Sequence, residues 1–157
     1  MRLFGAMDIS ASGLTAQRLR LDLIASNLAN ANTTRTEQGG PYRRQVAVME
    51  QRGPSLFSRY LGSAAQRRAA GTGTEAAGTV GGGVRVASIV EDPTPSKLKY
   101  EPGHPDADEN GYVSLPNVNV VTEMVDMIEA TRAYEANVTA INSAKSMALR
   151  ALEIGRG

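Results

Sequence analysis

The chain has 157 residues, 17 Lys+Arg against 16 Asp+Glu, one His, no Cys and no Trp; 41% of it is hydrophobic and only 4% aromatic. The absence of Cys excludes disulfide frameworks, Cys-ligated zinc and thiol catalysis, and the single His104 excludes multi-histidine metal sites. A net charge of +1 gives no global basic field for nucleic-acid binding, and an apolar content built on Ala, Val and Leu suits thin helical seams better than a large core.

The first thirty residues read as a helix. Met7, Leu14, Leu21 and Leu28 recur every seventh position, and Ser10, Gln17, Ile24 and Ala31 interleave to complete a heptad spacing. Gly13 costs such a helix about 1 kcal/mol relative to Ala, so fraying is expected before it. Residues 32–36, Asn-Thr-Thr-Arg-Thr, compete for backbone bonds, and Gly39-Gly40-Pro41 ends the element. Asp8 interrupts the N-terminal apolar residues before a signal-peptide core can form, and no apolar run approaches the roughly 20 residues of a membrane span.

Tyr42 to Glu50 alternates, with Val46 and Val48 on one face, and predicts a strand. Residues 62–83 are a Gly/Ala/Thr linker without periodicity. Val84, Val86 and Val90 then alternate, and short strands follow at Leu98–Tyr100 and Tyr112-Val113, separated by the turn Pro102-Gly103-His104-Pro105. Residues 36–84 carry six Arg against three Glu, and 85–119 three basic against six acidic residues; the two halves either attract one another or are simply two solvated surfaces.

The C-terminal segment carries the strongest pattern. Val120, Met124, Met127, Thr131, Tyr134, Val138, Ile141, Lys145, Ala148 and Leu152 follow a 3-4 spacing through more than four heptads. Asn117 and Asn119 are candidate N-caps, Glu123 and Asp126 suit the positive end of the helix dipole, and Gly155 suits the position after the last turn. The fold class is α+β: long N- and C-terminal helices (1–35 and 120–157) pairing as a coiled coil, with β segments at 36–61 and 84–119 around the 62–83 linker.

Sites of chemistry are scarce. Asp106-Ala107-Asp108-Glu109-Asn110-Gly111 fits the first half of a calcium loop, but the twelfth position is Asn117 in place of a bidentate Glu, and Pro105 and Pro102 deny it an incoming helix. An acidic turn is the better account, with no cofactor and no metal expected. Gly71-Thr72-Gly73-Thr74-Glu75-Ala76 has the spacing of a dinucleotide loop without the strand and helix that such a loop needs. Arg43-Arg44 and Arg67-Arg68 lack the aromatic company of a nucleic-acid site. Asn27, Asn30 and Asn32 around Leu28 either fix helix register inside the seam or face solvent near a fraying end.

Leu21 to Thr33 (LDLIASNLANANT) resembles the N-terminal signature of the flagellar rod and hook axial family, and Glu123 to Asn137 (EMVDMIEATRAYEAN) is similar to that family's C-terminal helix motif. Within the family, Gly39 to Arg44, His104 to Ala107, Gly111 to Val113 and Pro116 to Val118 resemble the basal-body rod proteins; residues 51–83 carry no such motif. The resemblance implies a structural, non-enzymatic subunit of the proximal rod, exported by the flagellar type III apparatus without a cleaved signal peptide. It would lie in the basal body across the periplasmic space, polymerised with other rod subunits and copies of itself, with no nucleic acid and no membrane span. The residues it points to for assembly are Leu21, Ile24, Asn27, Leu28, Ala29, Asn30 and Asn32 in the first helix. In the second they are Met124, Met127, Tyr134, Asn137, Val138, Ile141 and Leu152. The competing readings are a coiled-coil adaptor that closes into a small oligomer and, disfavoured by Asn117, a calcium-binding module.

Overall fold

The computed structural model describes residues 2–37, 39–53 and 82–155. Among them the chain order is α1 (Arg2–Ala29), β1 (Gln45–Gln51), β2 (Val84–Glu91), β3 (Lys97–Tyr100), β4 (Tyr112–Leu115) and α2 (Val120–Ile154). This is an α+β fold of two long helices and two small antiparallel sheets. Apart from Gly82 and Gly83, the 62–83 linker lies outside the described residues, as does the dinucleotide-like spacing at 71–76.

Helix α1 runs unbroken through Gly13 instead of fraying there. It stops where polar side chains capture the backbone: Asn30 Nδ2 donates to the Ser26 carbonyl at 2.9 Å, and the Thr33 hydroxyl donates to Asn30 Oδ1 at 3.2 Å. Helix α2 starts at Asn119, whose extended backbone lets Oδ1 accept the Val121 N–H at 3.1 Å. Asn117, the other candidate cap, is used elsewhere. Gly155 ends the helix at φ −79°, so its left-handed freedom is not what stops α2.

Strands β1 and β2 pair from Gln45↔Glu91 to Gln51↔Val84, with a bulge between Val48 and Met49. Val46 and Val48 do share a face, but it is the more exposed one; Ala47 and Met49 are the half-buried pair. Strands β3 and β4 pair from Lys97↔Leu115 to Tyr100↔Tyr112, whose rings meet edge to face at 5.3 Å. The half calcium motif forms the turn between them: the Gly111 N–H donates to the Asp108 carbonyl at 2.8 Å. Asp106 looks back to the end of α1, accepting the Thr34 hydroxyl at 2.8 Å. His104 Nδ1 accepts the Asp106 N–H at 3.1 Å, a turn role. Among the described residues, no group of three or more His, Cys, Asp or Glu is placed to hold a metal, and no helix is long and apolar enough to cross a membrane.

The two helices lie side by side and antiparallel: Gly13 faces Asn137, Arg20 reaches Asp126 and Glu129, and Asn27 meets Glu123. The buried apolar residues among those described are few: Ala16, Leu23 and Ile24 from α1, Ala130 and Ala144 from α2, and Val113 and Val118 from β4 and the segment before α2. A Cβ on Gly13 would stand 3.1–3.3 Å from the Asn137 amide, so this glycine permits the close approach of the helices.

The face that α2 turns to α1 differs from the sequence expectation. Met127, Tyr134, Ile141 and Ala148 are half-buried and lie on it. Between them come Glu123, Ala130 and Ala144, all buried, where Met124, Thr131 and Lys145 are exposed; Asn137 and Val138 are both half-buried. At 123, 130 and 144 the buried residue lies one position N-terminal to the one the spacing predicts. Met124 is 53% exposed and Leu152 66%. Small side chains win this face because they let the backbones approach, and Glu123 wins its place through polar partners described below.

On another side of α1, the Ser12 hydroxyl accepts the Val84 N–H at 3.0 Å and anchors the start of β2. Gly83, at φ +102°, sits where any Cβ would fall 2.2 Å from that hydroxyl.

Candidate functional site

The most heavily bonded cluster among the described residues lies where α1, β1 and the first turns of α2 converge. Asn27 is 1% exposed and fills its full hydrogen-bonding capacity. Its Nδ2 donates to the Gln45 carbonyl at 2.9 Å and to Glu123 Oε2 at 3.1 Å. Its Oδ1 accepts the Gln45 N–H and the Tyr42 hydroxyl, both at 2.9 Å. Asn27 therefore pairs with the first residue of β1 as a neighbouring strand would, and at the same time holds the helix facing it.

Glu123 is 0% exposed in the first turn of α2, where the helix dipole favours an acid. A buried carboxylate is costly unless paired and hydrogen-bonded. Here the Arg44 Nε reaches Oε1 at 2.5 Å while Asn27 holds Oε2. The same guanidinium extends to Asp126 at 3.3 Å and to Asp92, just after β2, at 3.8 Å. Arg20 of α1 meets the other Asp126 oxygen at 3.3 Å. The Arg44 N–H donates to Asn117 Oδ1 at 3.0 Å, and Asn117 Nδ2 donates to the Thr94 carbonyl at 3.2 Å. Asp92 in turn accepts the Thr94 hydroxyl and backbone N–H; these bonds, with Arg44 nearby, hold its carboxyl below the ordinary 3.8.

Segments remote in sequence thus meet at one point. The planar fork of Arg44 suits it to several carboxylates at once. The arrangement ties β1 and the end of β2 to the helix pair through hydrogen bonds and fixed charge.

The residues singled out from sequence are distributed unevenly about this junction. Asn27 is in it, buried and fully bonded and so not facing solvent. Ile24 is buried one turn earlier, beside Val46 and Ala47, and Leu21 and Leu28 are half-buried. Asn30 is half-buried and bonds within its own segment, while Ala29 and Asn32 are exposed. Met127, Tyr134, Asn137, Val138 and Ile141 are half-buried along α2; Met124 and Leu152 are exposed. Sequence reasoning missed Arg44 as the centre, and Tyr42, Asp92 and Asn117 as its supports. The Arg43-Arg44 pair and the acids in the first turns of α2 were visible, but nothing local linked them.

Comparison with known proteins agrees at both ends of the chain. Residues 7–35 match the family described as "Flagella basal body rod protein", and residues 109–154 the family described as "Flagellar basal body rod FlgEFG protein C-terminal". The chain is similar to the flagellar basal-body rod protein FlgC of Borreliella burgdorferi, 49% identical over 100% of both chains. It is similar also to that of Bacillus subtilis (45%) and of Salmonella typhimurium (42%), in each case over 99% of this chain and 100% of the relative. These matches run through residues 51–83, which the sequence motifs had left uncovered.

Proposed function

This chain belongs to the FlgC family of flagellar basal-body rod proteins, a structural subunit of the rod and not an enzyme, and from that premise we propose that it polymerises through its terminal helices into the proximal rod and passes torque through the junction at Arg44. The helices pair as a coiled coil and pack laterally with those of neighbouring subunits into an inner tube. The β hairpins stand outside it and lock against their neighbours. Other rod subunits and further copies of this chain are the partners. The location is the basal body across the periplasmic space, reached through the flagellar type III apparatus.

The observation that carries this reading is the division of labour along α2. One face meets α1, while Val121, Met124, Val125 and Ile128 are each more than half exposed on the other. Apolar stripes of that kind are usually covered by a partner. A rigid polar junction joining helices to hairpin also suits a subunit that must turn without shearing, because fully bonded buried networks resist deformation.

The test is immunogold electron microscopy of hook–basal bodies purified from a flagellated host whose own rod gene is replaced by this one. Label confined to the proximal part of the rod is expected. A chain that is secreted but absent from the rod, or one that forms a fixed, concentration-independent small oligomer, overturns the reading.

A further inference from the structure

Two surface features of the chain have complementary character. The first is the stripe Val121, Met124, Val125 and Ile128, spaced i, i+3, i+4, i+7 along α2 on the side away from α1. Toward the C-terminus it continues into exposed Arg132 and Glu135, with exposed Glu129 beside it, whose carboxylate lies 3.8 Å from Arg20. The second is a groove of about 530 Å³ between α1 and the far end of the β1–β2 hairpin. Its floor is Leu19, Val84 and Val86, and its margin carries Arg18, Arg52 and Arg85 with one acid, Asp22; Arg85 is paired with Glu50 at 3.2 Å. An apolar stripe edged by two acids and one base thus meets an apolar groove edged by three bases and one acid, net acidic against net basic.

We propose that the groove of one subunit receives the α2 stripe of a second copy of this chain. Glu129 and Glu135 then face Arg18 and Arg52, and Arg132 faces Asp22. Because stripe and groove are different patches, each contact leaves a free groove at one end and a free stripe at the other. Such a heterologous contact repeats without closing on itself unless its rotation happens to complete a ring. A few side chains fall short of the roughly 800 Å² per partner that stable pairs bury. The contact is therefore weak alone and gains strength where a growing rod already presents neighbours. The inference rests on the rod-subunit reading and adds which surface of one copy meets which of the next.

The chain has no Cys, so engineered thiols report without background. Thr15 lines the groove and is exposed, as is Ile128 on the stripe, so neither substitution disturbs the packed interior. Thr15→Cys and Ile128→Cys full-length chains, one carrying a mass tag, are mixed at high concentration and oxidised. The expected result is a mixed dimer at least several-fold more abundant than either same-site dimer, and than mixed dimers made with Glu109→Cys as the partner. Predominance of Ile128–Ile128 dimers, which indicates a symmetric stripe-to-stripe contact, overturns the proposal, as does a yield no higher than that of the Glu109 control. The same variants are then followed in purified basal bodies. Incorporation into rods without the cross-link refutes this contact alone, whereas absence of the parent chain from rods refutes the rod reading.

Discussion

Replacing Arg44 by Met tests the junction most directly. The substitution keeps an unbranched side chain of similar reach but withdraws the guanidinium from Glu123, Asp126 and Asp92. Glu123 is then a fully buried carboxylate whose remaining described donor is Asn27 Nδ2. Removing one partner of a buried pair typically costs about 3–5 kcal/mol, because the charge left behind is neither solvated nor paired. Against a total of about 5–15 kcal/mol for an ordinary domain, that is enough to loosen the hairpin from the helices. Glu123→Gln should cost less, since an amide retains a hydrogen bond and loses the charge. The double variant Arg44→Met with Glu123→Gln should be more stable than the two losses added together, by a coupling of about 2–3 kcal/mol. Urea unfolding at neutral pH, followed by far-UV circular dichroism, gives each value. A loss within about 1 kcal/mol for Arg44→Met, or strict additivity in the double variant, refutes the view that this pair holds the junction.

Three further outcomes follow from individual sites. Gly13→Leu should wedge α1 from α2 at Asn137 and lower stability by about 1–3 kcal/mol in urea unfolding, while Gly13→Ala combined with Asn137→Ala should remain near the parent because the added methyl gains both room and helix propensity. Gln17 Oε1 is buried without a hydrogen-bond partner among the described residues, so Gln17→Leu should raise the thermal midpoint by an amount equivalent to about 1 kcal/mol; an unchanged or lower midpoint counts against that orphaned acceptor. Asp92, held low first by the Thr94 hydroxyl, then by its backbone N–H and by Arg44, favours folding above its ordinary value of 3.8 and loses that contribution as pH falls through its lowered value; an NMR titration should place its midpoint below 3.8, with Thr94→Val moving it upward.

Much of this molecule is legible from local sequence. Two long helices follow from heptad spacing, and the Asn119 cap from a short polar side chain that satisfies an otherwise bare N–H at the helix start. The strands follow from alternation, and the acidic turn from the Asp and Gly residues that close it. The signatures at 21–33 and 123–137 point to the rod family because such signatures are linear strings. The inward face of α2 is different in kind. Judged by hydropathy, Met124 belongs on the seam and Glu123 belongs in water. In the folded chain Glu123 is fully buried and Met124 faces out, because Arg44, 79 residues away in sequence, is brought beside Glu123. Gly13 likewise reads as a weak point of a helix until Asn137 is set against it. Periodicity specifies that a stripe exists, but burial of a charge depends on whether its counter-charge arrives, and only the tertiary arrangement of α1, β1 and α2 decides that.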